Sequence, residues 1–538
     1  MTDFARKARE LSKPVVLGSA FVPGPDPYAN VAVLTGERMR VPATQVPKTN
    51  PMENSNVWRY TASGNYTNIL QGNGGSVQVF LTRNSGTGPV SGPIVLRALV
   101  QNPDGALDTV CIPFLQWISS IVWYNESGAQ ISSQDGGGLW NNLIENTKQE
   151  DWTTLQKVVG SNNSYDKGDP LIHSTTTYYY PPLIGNPLSP GKFFIPGNVG
   201  DCYAVITFAP SANWLISGPS LNLTELTLEV PMAQLPEETL SGLITEYKMA
   251  KHDWFYPYER IQTVTQTWTA GNTYQIQTSA IAGNVVFMRM GLYKTLIGQD
   301  IGKPARIAFF WMTADGGAPI TTQNQQEDYW NRYMTQRECF DGTASRRIKK
   351  YAWVFPKKKD AAMELIREGV SYPGYAFTNK ENMYVTMASA GTNEIVTITP
   401  SSAPTSGTYQ IGFSNPDVGT MWTAPLAFNA TASTIQSAIN NLLNFGGVCT
   451  VAGTMATAIT ITYTGGGYET RPMAADGYQF SFLMGAIGTT YTPGVSVAVA
   501  TPGVSGITSG GTYTLKMWFY TTSRGCQEKG SVYSRNSG

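Results

Sequence analysis

The chain has 538 residues, too many for one ordinary domain, and its 37 Lys+Arg balance 37 Asp+Glu, so no global field draws it to nucleic acid or to an anionic membrane. With 54 Gly, 33 Pro and only 14% charged residues, beside many Thr, Asn, Ser and Tyr, it reads as a turn-rich, all-β chain rather than a helical one. Five widely spaced cysteines (Cys111, Cys202, Cys339, Cys449 and Cys526), odd in number and without a CxxC pair, argue against a disulfide framework or a zinc site and fit a reducing cytoplasm.

The first segment, 1–54, reads as an N-terminal arm carrying Arg6, Lys7, Arg9 and Lys13. Its start, 4–11, is either a short basic amphipathic helix lying on an anionic membrane or under a neighbouring subunit, or a disordered tail. The apolar run Val15-Val16-Leu17 is broken by Pro14 and Gly18, too short for a secretory signal, and no stretch of about 18 apolar residues spans a bilayer.

From residue 55 the chain repeats itself. An apolar strand closing in a polar turn with Gly occurs at 120–128, around Trp123, and again at 308–316, around Trp311. A candidate helix follows each, at 139–144 with Trp140-Asn141 and at 329–334 with Trp330-Asn331. The offsets, 311 − 123 = 188 and 330 − 140 = 190, drift by only two residues, as expected of a duplicated unit. The strands at 203–208 and 226–230 close the first copy; those at 383–387 and 513–519 are their counterparts. More than a hundred residues separate the second pair, so an inserted domain is expected there. Between the copies, Leu240, Leu243, Ile244 and Tyr247 follow Pro236 and two acids at helical spacing, which predicts a linker helix.

Units of about 180 residues with several short strands and helices in the longer connections suit Greek-key jelly rolls. The expected division is 55–235 for the first barrel, 236–252 for the linker helix, 253–392 plus 510–525 for the second barrel, 393–509 for the insert and 526–538 for a C-terminal tail. The insert reads as a β-rich, Ig-like domain with strands at 394–398, 408–413, 459–463 and 495–499. One helix there is capped by Thr431, with Ile435, Ala438, Ile439 and Leu442 as its apolar stripe. Gly503, Gly506, Ser509, Gly510 and Gly511 read as a flexible return hinge. Since alternate connections of a jelly roll emerge at one end, the insert is expected to stand on the end that bears other long loops.

Signals for chemistry are sparse. His173 and His252 lack metal-ligand spacing, and neither a nucleotide loop nor a GxSxG motif occurs. Asp135-Gly136-Gly137-Gly138 lacks the Lys of a phosphate loop and reads as an ordinary turn. Paired carboxylates for glycoside hydrolysis stay open, because their separation is spatial. Arg346, Arg347, Lys349, Lys350, Lys357, Lys358 and Lys359 flank the strand at 351–355; a solvated rim or subunit contact is favoured there over nucleic acid or lipid head groups. The aromatic runs 178–180 and 254–258 read as barrel plugs or interfaces, with sugar-stacking platforms as the alternative.

The duplicated units around Trp123/Trp140 and Trp311/Trp330, the paired closing strands and the linker at 236–247 resemble the double jelly-roll major capsid proteins of tectivirus-like and corticovirus-like phages, distantly related to adenovirus hexon. The block 405–485 resembles a small β-rich module recurrent in phage structural and surface proteins. The capsid resemblance implies a structural protein without enzymatic activity or cofactor, forming homotrimers whose six barrels mimic a hexagon. It also implies an icosahedral virion shell around an internal membrane, contacts with neighbouring capsomers and with minor and penton proteins, assembly in the host cytoplasm, and no sequence-specific nucleic-acid binding. The insert would decorate the outside. The alternative is a phage receptor- or glycan-binding β-sandwich protein.

Overall fold

The computed structural model describes residues 55–82, 87–147, 155, 157–160, 171–188, 202–234, 241–242, 245, 251–294, 304–305, 307–320, 324–325, 351–354, 365–366, 373–415, 419–442, 444–445, 449–463, 469–470, 479–484, 495–503, 506–507, 512–528 and 531–536. The first barrel is built from β1 (Ser55–Thr61), β2 (Gly75–Leu81), β3 (Val95–Gln101), β4 (Ile118–Asn125), β5 (Gln130–Gln134), β6 (Thr176–Tyr179), β7 (Cys202–Phe208) and β8 (Asn222–Gln234). Its two main sheets run β1-β8-β3-β6 and β2-β7-β4-β5, which is jelly-roll wiring. Strict alternation of apolar residues makes these strands: along β3, Leu96, Ala98 and Val100 point inward, and along β7, Cys202, Ala204, Ile206 and Phe208 do. The β4–β5 hairpin turns at Gly128, whose φ of +77 is open to glycine, while the Asn125 side chain accepts from the amides of Ser127 and Ala129.

The second barrel repeats the wiring with β9 (Lys251–Thr267), β10 (Thr273–Gln277), β11 (Asn284–Lys294), β12 (Ile307–Thr313), β13 (Asn324–Gln325), β14 (Tyr351–Val354), β15 (Asn382–Met387) and β16 (Thr512–Glu528). β9-β16-β11 with β14 on β11 form one sheet, and β10-β15-β12-β13 the other. The likeness reaches single residues. A bulge interrupts β4 against β7 between Ile118 and Ser120, and another interrupts β12 against β15 between Ile307 and Phe309. Ser76 and Thr207 share a hydroxyl hydrogen bond of 2.8 Å across β2 and β7, and Thr273 and Thr386 share one of 2.8 Å across β10 and β15.

These landmarks correct the repeat register. Aligning the bulges makes Met312 the counterpart of Trp123 (312 − 123 = 189) and Val122 that of Trp311 (311 − 122 = 189). Trp123 and Met312 are buried, whereas Trp311 faces outward and stacks on Tyr384 with ring centroids 4.9 Å apart. A one-residue slip along a strand exchanges its faces, so matching tryptophan to tryptophan had paired an inner residue with an outer one. The helix of the first copy forms as α1 (Gly136–Asn146), whereas 329–334 lies outside the described residues.

Between β15 and β16 the chain builds sheets of its own. Strands Cys449–Thr454, Ala458–Tyr463, Glu394–Pro400 and Val495–Thr501 form one; Thr408–Asn415 pairs with Gly419–Trp422, Leu426–Ala427 and Gln479–Met484 in another. A helix, α2 (Ala432–Asn440), is capped by Thr431 and buries Ile435 and Ile439 in a core that also holds Ile411, Phe413, Phe445 and Ile461. This segment leaves the barrel where the Gly271 amide donates to the Ala388 carbonyl and returns where Thr512 pairs with Thr267, the end that bears the β9–β10 turn. Part of the expected hinge is strand instead, Gly506–Ile507 pairing with Glu469–Thr470. Of the linker helix, Ser241, Gly242 and Thr245 are described and are helical. β9 starts at Lys251, inside the expected linker. The expected tail is also ordered into the barrel: β16 runs to Glu528 and turns back into β17 (Ser531–Asn536), which pairs with it.

Candidate functional site

The feature that organises the molecule is the seam between the barrels. In an ordinary sandwich one face of each sheet meets solvent. Here β11 is buried without a break from Val285 to Leu292, and β16 from Met517 to Ser523. Their inner face, with Met288, Met290, Leu292, Leu515, Met517 and Phe519, fills the second barrel. From the same sheet, Phe287, Trp518 and Tyr520, joined by Tyr256 and Tyr258 of β9, enter the core of the first barrel, which is therefore one continuous apolar body across the seam.

From the first barrel the seam receives β5 and the N-terminal end of α1. The Tyr256 hydroxyl donates to the Ile131 carbonyl at 2.6 Å, and Gln130 Nε2 donates to the Tyr258 hydroxyl at 3.0 Å. Asp135 is the N-cap of α1: its Oδ2 accepts from the Gly138 amide at 3.1 Å and from Trp518 Nε1 at 2.9 Å, and its Oδ1 accepts from Lys516 Nζ at 2.7 Å. Its own amide donates to Glu259 Oε1 of β9 at 2.8 Å. Deeper in the seam, the Arg289 guanidinium donates to Asn142 of α1 and to the Tyr520 hydroxyl, and lies over the Phe287 ring. The Asp135 amide, Trp518 Nε1 and the Tyr256 hydroxyl, all buried, thus find their partners on the opposite barrel.

The segment 135–138 is therefore no ordinary turn. It is a helix N-terminus pressed against the other barrel, and its glycines are required by proximity. A Cβ on Gly136 would stand 2.1 Å from the Ile118 carbonyl oxygen, and one on Gly138 would stand 2.2 Å from Glu259 Oε2. An Asp three glycines ahead of the helical run that starts at Leu139 was the sequence signal for this cap. The partners of Asp135, namely Glu259, Lys516 and Trp518, had no such signal, because they come from strands far along the chain.

Glu259 and Asp135 also form the paired carboxylates left open by the sequence. They are 6% and 7% exposed and are walled by Trp518, Tyr293 and Tyr520, so the pair is placed to join the barrels, not to meet a sugar. Burial, and next the neighbouring Asp135 charge, push the Glu259 carboxyl up to about 8, against the opposing pull of the Asp135 amide, the Tyr520 hydroxyl and Lys516. Burial likewise pushes the Tyr293 hydroxyl far up.

The chain matches no known family model, and no curated protein matches it. Among solved structures it is similar to PBCV-1 VP54 as fitted into a cryo-EM reconstruction of the virophage Sputnik, with 9% identity over 90% of this chain and 97% of that one and a TM-score of 0.46. It is also similar to the mavirus major capsid protein (10% identity, 96% of this chain, 95% of that one, TM-score 0.40) and to the Faustovirus major capsid protein (10% identity, 97% of this chain, 98% of that one, TM-score 0.36). These are capsid proteins of viruses and virophages, and they do not single out the tectivirus-like phages of the sequence resemblance.

The remaining expected sites divide as follows. Arg6, Lys7, Arg9 and Lys13, and Arg346, Arg347, Lys349, Lys350, Lys357, Lys358 and Lys359, lie outside the described residues; between the latter, β14 pairs with Phe287–Met290 of β11. His173 is held by Asp108, which accepts from its amide at 2.9 Å and lies 3.0 Å from its Nδ1. Among the described residues no cluster of three His, Cys, Asp or Glu side chains is arranged for a metal ion. Of the aromatic runs, Tyr179 plugs the first barrel against Phe114, while Tyr178 and Tyr180 stack outside it beside Arg97.

Proposed function

We propose that this chain is a viral major capsid protein, a structural, non-enzymatic subunit of an icosahedral shell. The observation that carries the reading is the tandem of two barrels with one wiring, alike down to a bulge and a hydroxyl pair, joined through a shared core. A shell tile has to be stiff and has to offer near-equivalent edges, and two like barrels fixed side by side supply both. Three copies would present six barrels in a near-hexagonal outline, which packs a closed lattice without gaps. The resemblance to internal-membrane phages extends the proposal. The arm 1–54, with Arg6, Lys7, Arg9 and Lys13, would lie toward the membrane, and the insert would project outward. The basic segment from Arg346 to Lys359 would face neighbouring capsomers or minor and penton proteins. The protein would assemble in the host cytoplasm and reside in the virion.

Light scattering of the purified full chain tests this reading. A particle of three times the chain mass that survives heating as a unit is expected. A monomer that binds glycans on an array and forms no trimer at any concentration would replace the shell subunit with a binding protein.

A further inference from the structure

Beyond any role in a shell, the seam contains a group whose placement has no purely packing explanation. Glu259 presents Oε1 to the Asp135 amide, but its Oε2 is buried over Gly138 with no hydrogen bond of ordinary geometry, the Tyr520 hydroxyl lying beside the carboxyl. Among the described residues it has no ion pair: Lys516 is engaged by Asp135, and Arg289 donates to Asn142 and Tyr520. The titratable groups that bear on it are Asp135 from the first barrel and Lys516 and Tyr520 from β16, with Tyr293 of β11 beside Asp135. A carboxylate placed so would carry an unsolvated oxygen beside a second carboxylate, whereas a carboxylic acid in the same place carries no net charge.

We propose that Glu259 is a proton-controlled latch between the barrels: protonated, it seats against the α1 N-terminus and holds the two barrels as one body, and loss of the proton sets like charges together and loosens the seam. The direction of the pH effect follows from the raised acidity constant. The folded chain keeps a proton that the unfolded chain releases above its ordinary value of 4.5, and it gives that proton up only near 8. The stabilisation is therefore complete below about 4.5 and is lost as pH rises through about 8, the folding equilibrium falling by up to about tenfold per pH unit in that window.

The test uses the full chain, wild type and Glu259→Gln, with urea midpoints and amide hydrogen exchange of 135–146 and 256–262 followed from pH 5 to pH 9. Glutamine keeps the acceptor oxygen and carries no titrating proton. The expected result is a wild-type midpoint that declines with pH while the protection of both segments, relative to intrinsic amide exchange at each pH, falls, and a Glu259→Gln midpoint and protection that stay flat. Parallel declines in the two proteins would overturn the latch. Should Glu259→Gln fail to fold, Asp135→Asn decides: without the neighbouring charge the wild-type decline should end at lower pH, and an unmoved decline would overturn the proposal equally.

Discussion

Replacing Asp135 by alanine tests whether one side chain fastens the two barrels. The substitution removes three things at once. Loss of the α1 N-cap costs about 1 kcal/mol. Trp518 Nε1, buried with Asp135 Oδ2 as its acceptor, is left without a partner at about 1–3 kcal/mol. The Lys516 side chain is 27% exposed and recovers water, so its lost ion pair adds only about 0.5 kcal/mol. Relief of the repulsion at Glu259 gives part of this back, leaving about 3 kcal/mol, a large share of the roughly 5–15 kcal/mol that holds ordinary domains folded. Asp135→Asn keeps the cap and one acceptor oxygen and should cost about 1–2 kcal/mol. Urea titrations at pH 7, followed by tryptophan fluorescence and near-UV circular dichroism, measure both. An Asp135→Ala midpoint indistinguishable from wild type, or an Asp135→Asn loss as large as that of alanine, would refute the assignment of Asp135 as the joint.

The α1 glycines give a second test with an unusual sign. Alanine ordinarily favours a helix over glycine by about 1 kcal/mol, yet Gly138→Ala should lower stability by about 1–3 kcal/mol, because its Cβ displaces the carboxylate that pairs with the Asp135 amide. Gly136→Ala should cost more, since the obstacle is the backbone carbonyl of Ile118, and thermal unfolding of the two variants ranks them. The insert is expected to be separable, because it encloses its own core. Replacing 393–509 by a short Gly-Ser linker should leave the barrels' urea transition in place, and the excised segment should give a β-type circular dichroism spectrum and a cooperative melt. Loss of the barrel transition in the shortened chain would show that the cores are interdependent.

Much of the architecture was legible because its signals are local. Alternation in β7 and in Glu394–Pro400 marks strands, and Thr431 marks the start of α2. The repeat was found on conspicuous residues and placed one position off, because tryptophans in the two copies occupy opposite faces. Bulges and the Ser76–Thr207 and Thr273–Thr386 pairs give the true register, and a bulge leaves no local trace in composition. The final strand reads as a tail for a related reason: Cys526–Glu528 and Ser531–Asn536 join the sheet through their backbones, which composition does not report.

Side-chain periodicity and self-similarity alone determined an all-β chain of two like units, since both are written into neighbouring residues. Three-dimensional packing alone decided that Asp135 meets Glu259, 124 positions away, and Lys516, 381 positions away. Those contacts depend on which sheet face of the second barrel is turned toward the first. That choice is made by the summed burial of Tyr256, Phe287, Trp518 and Tyr520 rather than by any residue's own preference.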